Sequence, residues 1–199
     1  MASQSRPGSA LAGVVIPVRS FVLGKVRLAD VLDESARAEL GATMANRVVD
    51  AVGDRPCTIV SNAVEVRAWA AGRGLEVLDD PGSLNGAAAA GRDWALAHGC
   101  DRYAVVHADL PRIKTLDDVL RDGPEPVAVI VADHRADGTP VLTLPSATPF
   151  TFAYGPGSAA RHVAEAERRG LIIRRVDDPD LAFDVDLPAD LEFLHDRSR

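Results

Sequence analysis

Short apolar runs of strand length alternate with helix-periodic segments along nearly the whole chain, and this alternation limits the fold more than any single motif. Strand-like runs lie at residues 13–18, 57–60, 75–78, 103–107, 127–132, 141–144, 151–153 and 171–176. Helical periodicity marks 35–52, where Leu40, Met44, Val48 and Val52 recur at four-residue spacing, and 63–71, 86–98, 115–121 and 158–169. A further short helix starts near Pro188, and Gly72 and Gly99 close two of the earlier helices. Strands joined by crossover helices return parallel to one another, with the helices packed on the sheet faces. The expectation is an α/β protein: a single Rossmann-like domain with a mixed, mostly parallel sheet and helices on both faces. The stretch 127–153 has no clear helix, so it should add antiparallel or edge strands.

A chain of 199 residues is enough for one such domain with a substantial core. The domain is assigned to 11–195, with polar tails at 1–10 and 196–199. No apolar run has membrane-spanning length, and the N-terminus lacks the apolar stretch of a signal peptide. The net charge of −7, with no basic tract, argues against nucleic-acid binding. Cys57 and Cys100 have no metal-ligand spacing and read as reduced thiols of a cytoplasmic protein.

In this architecture ligands bind beyond the carboxyl ends of the strands. Several chemically capable residues fall there. Asp184-Val185-Asp186 is the most telling group: in an extended segment residues i and i+2 face the same side, so both acids would point at one place. Acids held together repel unless a cation or a proton lies between them. Asp109 follows the fourth strand-like run. Three carboxylates at strand ends suggest an oxygen-ligand site for Mg²⁺; the competing reading is that they are solvated turn or helix-capping acids. The loop 17–28 carries Arg19, Lys25 and Arg27 around Gly24, enough to hold a polyphosphate, but it lacks the Walker A pattern. In the turn-rich stretch 79–86, Asn85 or Ser83 could cap the following helix, whose start could also meet a nucleotide. His107 reads as a strand-end histidine. Gly155-Pro156-Gly157-Ser158 opens a helix with flexible backbone and a hydroxyl, which suits an anion. Arg161 and His162, one turn further on, read as exposed.

These segments occur in an order that resembles the guanylyltransferases of deazaflavin coenzyme (F-420) biosynthesis, a family that includes 2-phospho-L-lactate and phosphoenolpyruvate guanylyltransferases. The resemblance spans about 13–194. It rests on 17–28, 79–86, 107–111, Gly138-Thr139, 155–162 and 184–188; the loop ending Gly24-Lys25-Val26-Arg27-Leu28 and the segment 155–162 are its more specific parts. It implies a nucleotidyltransferase fold of the glycosyltransferase-A type that uses Mg²⁺ and GTP. It also implies that Asp109, Asp184 and Asp186 hold metal and that Thr139, Gly155 and Ser158 hold a small phosphorylated carboxylic acid. On that footing Arg19, Lys25, Arg27 and Asn85 are assigned to the nucleotide, with Lys25 and Asp109 as the catalytic pair. The implied reaction is transfer of GMP from GTP to phosphoenolpyruvate or 2-phospho-L-lactate, with release of pyrophosphate. Other acceptors (3-phosphoglycerate, a sugar phosphate, molybdopterin) and a non-catalytic nucleotide-binding module stay open as alternatives, as does a homodimer.

Overall fold

The computed structural model describes residues 11–121 and 125–196. The tail expected at 1–10 lies outside them, as does the one expected at the C-terminus apart from Asp196, which ends the last helix. The elements run β1 (Ala12–Pro17), α1 (Glu34–Val52), β2 (Cys57–Val60), α2 (Val64–Gly72), β3 (Glu76–Leu78), α3 (Leu84–Ala97), β4 (Arg102–Val106), α4 (Asp117–Leu120), β5 (Val127–Val131), β6 (Val141–Pro145), α5 (Ser158–Arg168), β7 (Ile172–Arg175) and α6 (Pro188–Asp196), with a 3-10 turn at Val26–Leu28.

The strands form one sheet of seven in the order β3-β2-β1-β4-β6-β5-β7. β6 runs antiparallel to β4 and to β5, and the other pairings are parallel. The mixed, mostly parallel sheet is therefore as expected, and the helix-poor stretch does supply the antiparallel strand. That strand is internal, however; the edges are β3 and β7.

Side-chain alternation along the strands builds two cores. Val14 and Ile16 face a layer with Val48 and Val52 of α1, Val66 and Ala70 of α2 and Val119 of α4. Val15, between them, faces Ala88, Trp94 and Ala95 of α3 and Ala166 of α5. Helices thus cover both faces. A third, smaller cluster of Leu28, Met44, Phe183 and Val185 ties the first loop and α1 to the segment that carries Asp184 and Asp186.

The strand expected at 151–153 does not form. Its backbone donors go to side chains instead of a neighbouring strand: Thr151 N–H to Glu165 Oε1 at 3.0 Å and Ala153 N–H to His162 Nε2 at 3.1 Å. A β-propensity run is overridden where long-range polar partners satisfy the backbone.

Gly91 of α3 lies close against the sheet. A Cβ there would stand 2.3 Å from Val15 Cγ1. Val15 is β-branched and fully buried, so it cannot swing aside. Gly91→Ala should lower stability by about 1–3 kcal/mol through overpacking, despite the gain of roughly 1 kcal/mol in helix propensity. Urea unfolding measures this; a variant as stable as the wild type would mean that α3 can lift off β1 at little cost.

Candidate active site

A cleft of about 900 Å³ opens at the carboxyl ends of β1 and β4. The chain crosses from one half of the sheet to the other between these strands, the place where such sheets bind ligands. Its walls come from the first loop, the entry to α3, the segment after β4, the β5–β6 loop, the start of α5, and Asp184 and Asp186.

Lys25 lies at the centre. Its backbone is left-handed, with φ 53° and ψ 36°, an uncommon conformation for a residue with a Cβ. The loop before it is tightly closed. Ser20 Oγ accepts the Leu23 N–H at 3.0 Å and donates to Glu65 Oε1 at 2.6 Å, and a Cβ on Gly24 would come within 2.7 Å of Ser20 O. This geometry turns the Lys25 side chain inward. Its ammonium donates to Asp109 Oδ2 and, at 3.0 Å, to Asp186 Oδ1. Burial works against the charge on Lys25, but Asp109 and Asp186 outweigh it and raise the pKa above the usual lysine value. For Asp109 burial again opposes the charge, and Lys25 prevails, holding the carboxyl below its usual range. Arg27 is exposed, 3.9 Å from Asp186 Oδ2. Arg19 is exposed on the cleft wall, and among the described residues it makes no ion pair. Both guanidiniums are available to an incoming anion.

The acid pair is held from behind. Asp190, near the start of α6, accepts the Asp186 and Leu187 N–H groups at 2.9 and 2.7 Å. Arg135 donates to both oxygens of Asp190, at 2.7 and 2.9 Å. The same guanidinium lies 3.5 Å from Asp184 Oδ1, and His134 Nδ1 lies 3.3 Å from it. Neither contact is a hydrogen bond, so Oδ1 of Asp184 is buried without one, as is Oδ1 of Asp109. Burial first, then the charges of Asp109, Asp186 and Asp133, push the Asp184 carboxyl up to about 6.

Asp109, Asp184 and Asp186 therefore do converge on one cleft, at one end of the sheet. Among the described residues no three acidic, histidine or cysteine side chains are arranged to hold a metal ion, and the Lys25 ammonium supplies the positive charge between two of the acids. Two buried carboxylate oxygens without hydrogen bonds in an all-oxygen donor set still suit a hard cation such as Mg²⁺.

The α5 end of the cleft differs from the sequence-based picture. Gly155 and Gly157 have φ of 108° and 71°, so the glycines are needed. The amides at the helix start are not free, however. Gly157 N–H donates to Asp137 Oδ1 at 2.8 Å, Ser158 N–H to Gly155 O at 3.0 Å and Ala159 N–H to Asp137 O at 3.0 Å. Asp137 thus takes the place an anion would take at the helix dipole. Side-chain hydroxyls remain on this wall: Thr139 and Ser158, with their Oγ atoms 3.1 Å apart.

Asn85 also departs from its assignment. Its Oδ1 accepts the Tyr154 N–H at 2.7 Å, so it pins the α5 approach to α3 and is not among the cleft-lining residues, whereas Ser83 caps α3. Arg161 donates to the carbonyls of Ala153 and Pro156. His162, expected to be exposed, is fully buried. His107 lines the cleft, and burial lowers its pKa. His134, Arg135 and Asp190 escaped sequence reasoning. The one local signal was Asp190 in the first turn of a helix, a favoured place for an acid.

Known proteins give this geometry a context. The family model described as guanylyl transferase CofC like matches residues 12–197. A phosphoenolpyruvate guanylyltransferase of Sphaerobacter thermophilus is 37% identical over 187 residues, covering 90% of each chain. One from Rubrobacter xylanophilus is 39% identical over 191 residues, covering 90% of this chain and 91% of that one. Among solved structures, a putative nucleotide-diphospho-sugar transferase from Desulfovibrio desulfuricans G20 superposes with a TM-score of 0.79 at 17% identity, covering 94% of this chain and 87% of its own. A nucleotidyl transferase from Methanothermobacter thermautotroptrophicus gives 0.67 at 16% identity, covering 96% and 98%. These two show the fold.

The Asp184 carboxyl titrates at about 6 in the folded protein, above its ordinary 3.8, so the folded state binds its proton more tightly than the unfolded state does. The resulting penalty is fully present above about pH 6 and fades as pH falls toward 4. Asp184→Asn in the presence of a chelator should therefore raise stability at pH 7.5 by about 1–3 kcal/mol, and the gain should vanish near pH 4. Thermal melts across that range test it; a Tm lowered at pH 7.5 would mean that the contacts of Asp184 with Arg135 and His134 outweigh the repulsion.

Proposed function

The chain belongs to the CofC-like guanylyl transferase family, and we propose that it joins GMP from GTP to phosphoenolpyruvate with release of pyrophosphate, a step in the making of coenzyme F-420. The observation that carries this reading is the placement of Lys25 against Asp109 and Asp186, between the cationic first loop and the hydroxyls of Thr139 and Ser158. One end of the cleft suits a triphosphate. The other suits a small anion.

A phosphate dianion of the acceptor is nucleophilic near neutral pH, so its attack on the α-phosphorus of GTP needs no general base. Catalysis then rests on position and charge. Arg19, Lys25 and Arg27 offset charge on the triphosphate, and Ser158 with Thr139 orients the acceptor. Asp109, Asp184 and Asp186 are the residues that would hold Mg²⁺, which supplies further neutralisation of phosphate charge when bound. Lys25 offsets part of the charge of Asp109 and Asp186 in the free protein and is the donor beside them when nucleotide enters. Cys57 and Cys100 are free thiols, and burial pushes Cys57 up to about 12, which fits an unreactive thiol of a cytoplasmic enzyme.

Pyrophosphate release from GTP, measured with phosphoenolpyruvate, 2-phospho-L-lactate and 3-phosphoglycerate in turn, should be fastest with phosphoenolpyruvate. Release with none of the three, or only with CTP and a sugar phosphate, would defeat the reading. Lys25→Ala should raise the KM for GTP about tenfold or more while changing that for the acceptor much less, since a charged hydrogen bond to phosphate contributes roughly 1.5–3 kcal/mol. A defect confined to the acceptor constant would move Lys25 to the other substrate.

A further inference from the structure

His162 is fully buried, and nothing in the chemistry above uses it. Both of its ring nitrogens are engaged. Nε2 lies 3.1 Å from the Ala153 amide nitrogen, which can only donate, so Nε2 must present a lone pair. Nδ1 lies 3.1 Å from Thr139 Oγ1 and must carry the ring's single proton. A charged imidazolium would turn a second N–H against the Ala153 donor. Burial, followed by the charges of Arg161 and His107, agrees with this, lowering the pKa to about 4.

The direction of the next bonds follows. Thr139 Oγ1 accepts from His162, and among the described residues its other hydrogen-bond partner is Ser158 Oγ, 3.1 Å away; because Thr139 is fully buried, its own proton would lack an acceptor unless it goes to Ser158. Ser158 Oγ accepts that proton, and its remaining O–H is free to point into the cleft that Ser158 lines. Thr139 and Ser158 are as deeply buried as His162, at 0% and 1% exposure, so bulk water does not scramble the order. The opposite order would run from Ser158 through Thr139 to a bare Nδ1, and would turn the lone pairs of Ser158 toward the cleft. The fixed Ala153 N–H forbids it, because it would meet a protonated Nε2.

We propose that His162 is a positioning residue: held by the Ala153 amide, it sets the direction of the Thr139–Ser158 hydrogen bonds so that Ser158 offers a proton, not a lone pair, to the anionic group of the acceptor. This rests on the reading of the α5 end of the cleft as the acceptor pocket. Since amides at the start of α5 are already taken by Asp137 and Gly155, the hydroxyl direction decides whether this wall attracts or repels an anion.

Two measurements test it. In protein with ¹⁵N-labelled histidine, long-range ¹H–¹⁵N correlation at neutral pH should show His162 protonated at Nδ1 and bare at Nε2, its signals being identified by their loss in His162→Leu or, should that variant not fold, in His162→Asn. Protonation at Nε2, or at both nitrogens, overturns the proposal. This readout needs no turnover, so it decides the matter even if the wild type guanylylates no phosphorylated acid, an outcome that would defeat the proposed function instead. In kinetics, His162→Leu should raise the acceptor KM by about five- to tenfold, with kcat and the GTP KM changed by no more than about twofold, as fits one hydrogen bond to an anion lost. His162→Asn, which keeps a donor near the position of Nδ1, should recover most of that loss. Ser158→Ala combined with His162→Leu should be no worse for the acceptor than Ser158→Ala alone. Additive losses, or an Asn variant as impaired as the Leu variant, would reduce His162 to a packing residue and overturn the proposal.

Discussion

The site depends on one ammonium placed between two acids. Asp109 follows β4 and Asp186 precedes α6, and they are joined through Lys25, which is 84 residues from the first and 161 from the second. Without an intervening cation, carboxylates gathered in a largely buried place would repel and in part take up protons. Asp184, which Lys25 does not reach by hydrogen bond, shows that tendency in its raised pKa. The fold supplies what the ion pairs cannot. Leu28, Met44, Phe183 and Val185 bury a common apolar surface under the loop and the acidic segment, so hydrophobic packing and not the charges brings the three chain regions together. Lys25 then makes the convergence electrostatically tolerable and holds the Asp109 carboxyl below its usual range.

The two ends of the cleft treat anions by different physics. On the proposed function, the exposed guanidiniums of Arg19 and Arg27 at the first loop would meet a large, highly charged group, and their exposure would matter little because a triphosphate brings so much charge. At α5 the expected helix-dipole site is already spent on Asp137. On the proposed function that end would recognise through hydroxyls of fixed direction, which are weaker individually and more demanding of geometry. A small acceptor has few atoms with which to distinguish itself from other phosphorylated acids. A wall that must be met at the right angle therefore discriminates better than a diffuse positive field would.

Most of the framework was legible in the sequence because strands and helices here follow their own periodicity. The spans 57–60, 127–132 and 35–52 needed nothing beyond local pattern. Asp109, Asp184, Asp186 and Lys25 were visible as charged residues just beyond apolar runs. What was not legible depends on contacts between distant segments. The run 151–153 has strand-like composition, but Glu165 and His162 claim its amides. Asn85 looks like a nucleotide ligand or a cap, yet its Oδ1 accepts from Tyr154, 69 residues away. The place of β6 inside the sheet is set by which faces remain to be covered, and hydrophobic alternation is the same for an internal antiparallel strand as for an edge one. His162 carries no periodic mark at all; its role comes from the direction of hydrogen bonds, which composition does not encode.

The loop between β5 and β6 joins the two ends of the site. Asp133 ties it into a compact turn, accepting the N–H groups of Arg135, Asp137 and Gly138. Gly138 is pressed so closely on this carboxylate that a Cβ would lie 2.5 Å from its Oδ2. From the turn, Arg135 reaches Asp190 and so fixes the backbone of Asp186 and Leu187. Asp137 occupies the start of α5, and Thr139 begins the hydrogen bonds to Ser158. The acids proposed to face the nucleotide and the hydroxyls proposed to face the acceptor are thus aimed by neighbouring residues of one short, internally bonded loop. A displacement of that loop would misalign both substrates together. If the proposed reaction draws its rate from holding two phosphates in line, a shared support converts two placements into one, and the cost of ordering it is met in folding, before either substrate arrives.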